Sequence, residues 1–189
     1  VKSPRLILRL SLVLNYTFDG RQVVGYHLLN LVVHVIATLT LFGVIRRTLS
    51  SETLRDRFGK VAAPLAFSVA LIWEIHPLNT QAVTYIVQRG ESMMGMFYLI
   101  TLYASIRLRE RPGEVRWGIL AVSCAILGMM SKEVMVTVPI IVILYDWVFD
   151  RRSWNHIFRQ RASLYVLLMS SWLVLLLIGT DLFAENKAA

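Results

Sequence analysis

Ionisable and amide side chains are concentrated in residues 76–91, HPLNTQAVTYIVQRGE, between two strongly apolar runs. Pro77 predicts the start of a helix capped by His76, because proline is tolerated in a first helical turn. Helical spacing then gives a polar face with Gln81, Thr84, Gln88 and Glu91, and an apolar face with Val83, Ile86, Val87 and Gly90. The stretch therefore predicts an amphipathic helix that lies on a membrane surface or covers a polar cavity.

Two cations, Arg89 and Lys132, have the chemistry needed to bind a phosphate. A guanidinium can bind phosphate through two hydrogen bonds, and an ammonium acts as a point charge. His76 could donate to a phosphate or help an acceptor lose its proton. Glu91 and Glu133 could hold the two cations in place. The structural alternatives are an interfacial anchor for Arg89, helix capping for His76, and local ion pairs for both glutamates.

A second polar group occupies the apolar run at residues 25–45. His27, Asn30 and His34, followed by Thr38, fall on one helical stripe that is unsuited to face lipid. They could form hydrogen bonds between helices or line a polar cavity, together with Gln81, Thr84 and Gln88. A metal pair is a weaker interpretation, because helical zinc pairs are three or four residues apart rather than seven. No metal is predicted.

Composition places the chain in a membrane. Hydrophobic residues make up 56% of the sequence, above the roughly 45–50% of soluble proteins. The net charge of +8 does not predict nucleic-acid binding, because the basic residues fall in short loops between apolar runs. The single cysteine, Cys124, excludes an intramolecular disulfide. No ATP, nicotinamide or flavin fingerprint is present, and no cofactor is predicted.

Six apolar runs predict the elements that would position these groups. The predicted spans are residues 25–45, 61–75, 92–106, 117–130, 134–149 and 162–180. A helix at residues 4–18 would span only about 21 Å, short of a ~30 Å hydrocarbon core, and is predicted to lie at the interface. The fold class is therefore an all-α transmembrane bundle, with a kink predicted at Pro139. Residues 1–189 are expected to form one partial membrane domain without a soluble domain.

Basic loops predict how the bundle is oriented. Residues 46–60, 107–116 and 150–161 are rich in arginine and are expected in the cytoplasm. Residues 76–91 and Lys132 would then lie on the extracytoplasmic side. The hairpin tip at Lys132 is expected below the headgroups, either as a snorkelling end or lining a water-filled cavity. The valine at position 1, without a signal pattern, predicts a fragment or internal segment.

Five short segments, taken in order, resemble the membrane domain of the transmembrane and tetratricopeptide-repeat-containing family. The segments are GYHLLNL at 25–31, HPLNTQAV at 76–83, QRGE at 88–91, SKE at 131–133 and YDW at 145–147. The resemblance covers roughly residues 4–150. Each segment is weak by itself, but their combination and order are fairly specific.

The resemblance implies a class C glycosyltransferase fold with O-mannosyltransferase-like activity. Such an enzyme would take a sugar from a polyprenyl-phosphate donor and pass it to a protein or glycan acceptor on the extracytoplasmic side. A bacterial relative, in an inner membrane, is expected. The family's acidic catalytic positions would precede Val1, so no catalytic base is assigned. The alternatives are a non-catalytic membrane anchor for a tetratricopeptide-repeat domain and a transporter, although no inverted repeat is found.

Overall fold

The computed structural model describes residues 5–150 and 154–174, and all its regular elements there are helices. This confirms the all-α fold class. The α-helices are α1 (Leu6–Asp19), α2 (Val23–Leu49), α3 (Arg55–Phe58), α4 (Ala62–Glu74), α5 (Thr80–Thr84), α6 (Arg89–Glu110), α7 (Val115–Met129), α8 (Val138–Phe149) and α9 (Trp154–Ser170). Short 3-10 turns occupy Gly59–Val61, Pro77–Asn79, Ile86–Gln88 and Glu133–Thr137.

Helix α6 lies at the centre of the bundle, between α2 and α7. Its buried face is built from small and flexible side chains such as Met93, Met96 and Ala104, which allow close helix approach and fill irregular gaps. Gly43 of α2 leaves room for the Tyr103 ring of α6, because a Cβ at position 43 would lie 2.7 Å from that ring. Polar side chains of the two helices also meet, as Arg89 of α6 donates to Asn30 of α2 at 2.7 Å.

The outer surface of the bundle is apolar, as expected of a membrane protein. Leu39, Phe67, Ile72 and Trp147 are all more than half exposed. Of the described helices, α2 is long and apolar enough to cross a membrane by itself, and residues 55–84 are a second candidate if their 52° bend lies within one span. Helix α7 is apolar but shorter. The count of six spans stays a prediction.

The stretch at residues 76–91 does not form the single helix that its periodicity predicts. His76 does cap the first turn, where its Nδ1 accepts a 3.2 Å hydrogen bond from the Leu78 N–H. The helix then breaks at Tyr85, which is extended with φ −95° and ψ 118°. The Asn30 amide donates to the Val83 carbonyl at 3.1 Å and to the Tyr85 carbonyl at 3.4 Å. Because α2 binds these carbonyls at the break, the two predicted faces are not continuous.

Two predictions for the C-terminal half are also wrong. Pro139 lies in the first turn of α8 rather than inside it, because residues 133–137 form a 3-10 turn, and it therefore starts the helix without a kink. Helix α9 begins at Trp154, so the predicted loop at 150–161 is shorter than expected. Residues 151–153 and 175–180 of these predictions lie outside the described residues.

A buried ionic cluster ties α9 to α6 and α8. The Arg161 guanidinium donates to both carboxylate oxygens of Asp146, and also to the Ser105 carbonyl at 2.8 Å and hydroxyl at 2.9 Å. The Tyr165 hydroxyl donates to Asp146 at 2.8 Å. Arg161, expected in an exposed basic loop, is thus a buried bundle residue, because its charge is matched by Asp146.

Candidate functional site

A cavity of about 330 Å³ opens between α2, α4, α5 and the first turns of α6. Its polar lining residues are His34, Asn79, Glu91, Ser92 and Tyr98, and Trp73 contributes an aromatic wall. Asn79, Ala82 and Glu91 of the stretch at 76–91 contribute to its wall. We call this space the α2/α6 cavity.

Lys132 forms an ion pair with Glu91, which is one of the residues that line this cavity. Helix α7 ends at Met129, and the Lys132 N–H donates to the Gly128 carbonyl at 3.0 Å. This turn directs the ammonium toward the first turn of α6, where Glu91 lies. The Lys132 side chain is 23% exposed, so it is neither a free snorkelling tip nor sealed from a ligand. The structure therefore brings together two of the residues that the sequence placed on the same side.

A polar network stiffens the opposite wall of the cavity. His34 is buried and stacks on Trp73 with ring centroids 4.7 Å apart. Its Nε2 lies 3.4 Å from a carboxylate oxygen of Glu74, and the Thr38 hydroxyl donates to the same carboxylate. The sequence analysis did not single out Glu74. Its place at the end of an apolar run, three residues before Pro77, was the available signal.

The structure places Arg89 away from this cavity. Its side chain is 0% exposed, and Nε donates to the Asn30 amide oxygen at 2.7 Å. Nη1 donates to the Asn15 amide oxygen at 2.6 Å, and Nη2 donates to the Tyr26 carbonyl at 3.0 Å. Arg89 and Glu91 are two residues apart in one helix and therefore point about 200° apart around its axis. Arg89, named with Lys132 as a candidate phosphate-binding cation, thus faces α1 and α2 and does not join Lys132 at the cavity.

The remaining predicted site residues lie outside the cavity lining. His27, like Asn30, binds between helices, with its Nδ1 3.3 Å from the Val83 carbonyl oxygen. The other members of this group are His76, Gln81, Thr84, Gln88 and Glu133. Hydrogen bonding between helices thus accounts for His27 and Asn30, while His34 lines the cavity as the alternative proposed. Within residues 5–150 and 154–174, no group of three or more His, Cys, Asp or Glu side chains is arranged to hold a metal.

Comparison with known proteins identifies the chain at the level of family. Residues 6–178 match the model described as dolichyl-phosphate-mannose-protein mannosyltransferase. The chain belongs to this family. No solved structure matches it.

Curated proteins similar to this chain are named as protein O-mannosyl-transferases. Protein O-mannosyl-transferase tmtc2 of Xenopus laevis is 31% identical over 188 residues, which cover 93% of this chain and 21% of that protein. F38B6.6 of Caenorhabditis elegans is 30% identical over 84% of this chain and 21% of its own length. Tmtc1 of Drosophila melanogaster is 34% identical over 72% and 15%. The predicted resemblance is confirmed, and the chain spans about a fifth or less of these relatives.

The chemistry of the α2/α6 cavity suits a ligand that has both polar and anionic groups. The Lys132 ammonium is a compact cation that binds phosphate as a point charge. Asn79 and Ser92 offer short polar side chains, and the Trp73 and Tyr98 rings combine an apolar face with a polar edge. Among the described residues, Glu91 and Glu74 are the carboxylates nearest this lining, through the contacts with Lys132 and His34.

Proposed function

We propose that this membrane domain belongs to a glycosyltransferase that transfers mannose from a polyprenyl-phosphate carrier to a protein acceptor. The family match and the names of the relatives support the reaction type. The donor class follows from the description of the family, and the acceptor class follows from the relatives' names. The α2/α6 cavity is the proposed place for the donor's sugar and phosphate.

The observation that carries this proposal is the ion pair between Lys132 and Glu91, because the Glu91 side chain lines the α2/α6 cavity. Transfer from a phosphate carrier leaves negative charge on the departing phosphate, and a fixed cation stabilises that charge most strongly where water is scarce. Glu91 holds the Lys132 ammonium at the cavity. The volume of about 330 Å³ falls at the lower end of ligand pockets, which is suited to one sugar with its phosphate.

The proposed orientation places this cavity toward the extracytoplasmic side. Helix α6 has Glu91 in its first turn and Arg109 in its last, and the two positions are about 27 Å apart along the axis at 1.5 Å per residue. Arginine-rich segments follow α2 and α6 at the Arg109 end. Positively charged loops remain in the cytoplasm, so the Glu91 end would face the opposite compartment, where the donor sugar is expected.

Filling the cavity tests this function. Gly95 lines the cavity, and a Cβ added there would meet no atom of a neighbouring segment within 4 Å, so the Gly95→Leu side chain is expected to grow into the cavity. In the complete gene product, we expect this variant to lower mannose transfer per inserted molecule about a hundredfold, because an ångström of misplacement costs that much. The measurement is transfer of radiolabelled mannose from polyprenyl-phosphate mannose to an acceptor peptide.

The matched control is Gly113→Leu, at an equally open position in the turn between α6 and α7. It should transfer mannose at the wild-type rate. Equal rates of mannose transfer by the two variants would show that the reaction does not use the α2/α6 cavity. Absence of transfer by the wild-type protein with every polyprenyl-phosphate sugar would favour the non-catalytic anchor.

A further inference from the structure

A groove of about 430 Å³ runs between α7 and α9, with the last turn of α6 at one end. Most of its lining is aliphatic, including Ile119, Val122 and Leu164. Ile119 and Leu167 are at least half exposed, so the groove is open to whatever surrounds the bundle. In a membrane protein, the surroundings of such a groove are acyl chains.

One end of this groove carries two guanidinium groups, from Arg109 and Arg161. Arg161 is 6% exposed, and its Nε has no hydrogen-bond partner among the described residues. The buried Nη1 of Arg109 likewise lacks a hydrogen bond there, although it lies 3.7 Å from an Asp146 carboxylate oxygen. A buried donor without an acceptor is costly. The two groups are therefore suited to an acceptor that enters from the groove.

The charges at this end favour an anion. The Asp146 carboxylate forms ion pairs with both Arg109 and Arg161, and Asp150 adds a weaker attraction to Arg161. Arg161 and Arg109 both lie at the end of the apolar groove, and Arg109 also borders a polar pocket with Glu110 and Asp150. An anion with a hydrocarbon tail fits both features, whereas an inorganic anion would leave the aliphatic part of the groove empty.

We propose that this groove binds an anionic phospholipid of the surrounding bilayer, with its phosphate at Arg109 and Arg161 and one acyl chain between α7 and α9. Basic pockets between membrane helices are known to attract anionic lipid headgroups. The groove lies at the Arg109 end of α6, opposite the end that carries Glu91. The lipid is therefore a second ligand, separate from the proposed glycosyl donor.

Photolabelling of the 189-residue chain tests this proposal. The chain is placed in phosphatidylcholine nanodiscs that contain a trace of phosphatidylglycerol with a diazirine in one acyl chain. Mass spectrometry of the digested protein should find adducts on α7 and α9. Excess unlabelled phosphatidylglycerol should remove these adducts, whereas inorganic phosphate should leave them.

Three variants test whether the labelling is specific to this groove. Arg109→Gln should reduce adducts about fivefold, the contribution of one basic residue near an anionic headgroup, while Arg161 still neutralises Asp146. Ser123→Trp places a bulky ring in the groove and should remove adducts without changing the buried charges. Leu120→Trp is the control, since Leu120 is on α7 but does not line the groove.

Several results would overturn the lipid site. Equal labelling by a phosphatidylcholine probe would show that the headgroup is not recognised. Competition by inorganic phosphate would reassign the end of the groove to a free anion. Unchanged adducts in Ser123→Trp, or an equal loss in Leu120→Trp, would place the lipid elsewhere on the bundle.

Discussion

Replacing Arg89 with alanine is expected to lower the free energy of unfolding by about 3–5 kcal/mol, the usual cost of deleting a large buried side chain and its hydrogen bonds. The Arg89 guanidinium joins three helices, through acceptors on Asn15, Tyr26 and Asn30. All three acceptors are uncharged, so the loss of Arg89 leaves buried oxygens without donors rather than an unpaired carboxylate. Helix α1 should detach first, because its polar contact with α6 runs through Arg89.

The measurement is thermal unfolding of the 189-residue chain in neutral detergent micelles. Arg89→Lys should lower the free energy of unfolding nearly as much as Arg89→Ala, because an ammonium cannot reach all the acceptors that the planar guanidinium reaches. Arg111→Ala is the control, since the Arg111 side chain is 56% exposed and exposed ion pairs contribute little to stability. Two results together would contradict this structural role: normal stability of the Arg89→Ala chain, and loss of mannose transfer by the complete gene product with the same substitution. They would indicate that Arg89 binds the ligand.

Replacing Lys132 with alanine is expected to lower mannose transfer in the complete gene product by about 10²–10³-fold, the effect of removing one group that stabilises charge in a transition state. The stability of the protein should change little, because Lys132 and Glu91 are both partly exposed and such ion pairs contribute little to folding. Lys132→Arg should keep part of the activity, since it keeps the charge but changes its reach. Transfer per inserted molecule, measured with polyprenyl-phosphate mannose, checks all three statements.

The partner and a remote lysine provide the controls for this series. Glu91→Gln should lower transfer less than Lys132→Ala, because the ammonium remains but loses the carboxylate that positions it. Lys60→Ala, at an exposed position between α3 and α4, should transfer normally. Normal transfer by Lys132→Ala would exclude an electrostatic role for this residue and leave its pair with Glu91 as a link between α6 and α7.

Hydropathy and helical spacing predicted the positions of the main helices, because long apolar runs bounded by charged loops have few alternative structures in a membrane. They also predicted the cap at His76, since a residue before proline favours a helix start. Counting crossings placed Lys132 and residues 76–91 on the same side of the membrane, whereas the ion pair between Lys132 and Glu91 is seen only in the structure. These features depend on local sequence and on membrane topology, and both can be predicted from one sequence.

The features that the sequence did not predict depend on contacts between distant parts of the chain. The direction of Arg89 depends on acceptors in α1 and α2, which lie 59 to 78 positions away along the chain. In the sequence, Arg161 cannot be distinguished from the other arginines of the predicted loop, because its burial depends on the ion pair with Asp146. The break at Tyr85 likewise requires Asn30 to bind the carbonyls of a neighbouring segment. Helical periodicity carries no information on such partners.

The most direct test of the central claim is photolabelling of the complete gene product by polyprenyl-phosphate mannose with a diazirine on the sugar. The α2/α6 cavity predicts adducts within residues 73–99, and it predicts that Lys132→Ala removes them while Lys60→Ala does not. Adducts confined to the groove between α7 and α9, or adducts at 73–99 that persist unchanged in Lys132→Ala, would contradict the assignment of the donor to this cavity.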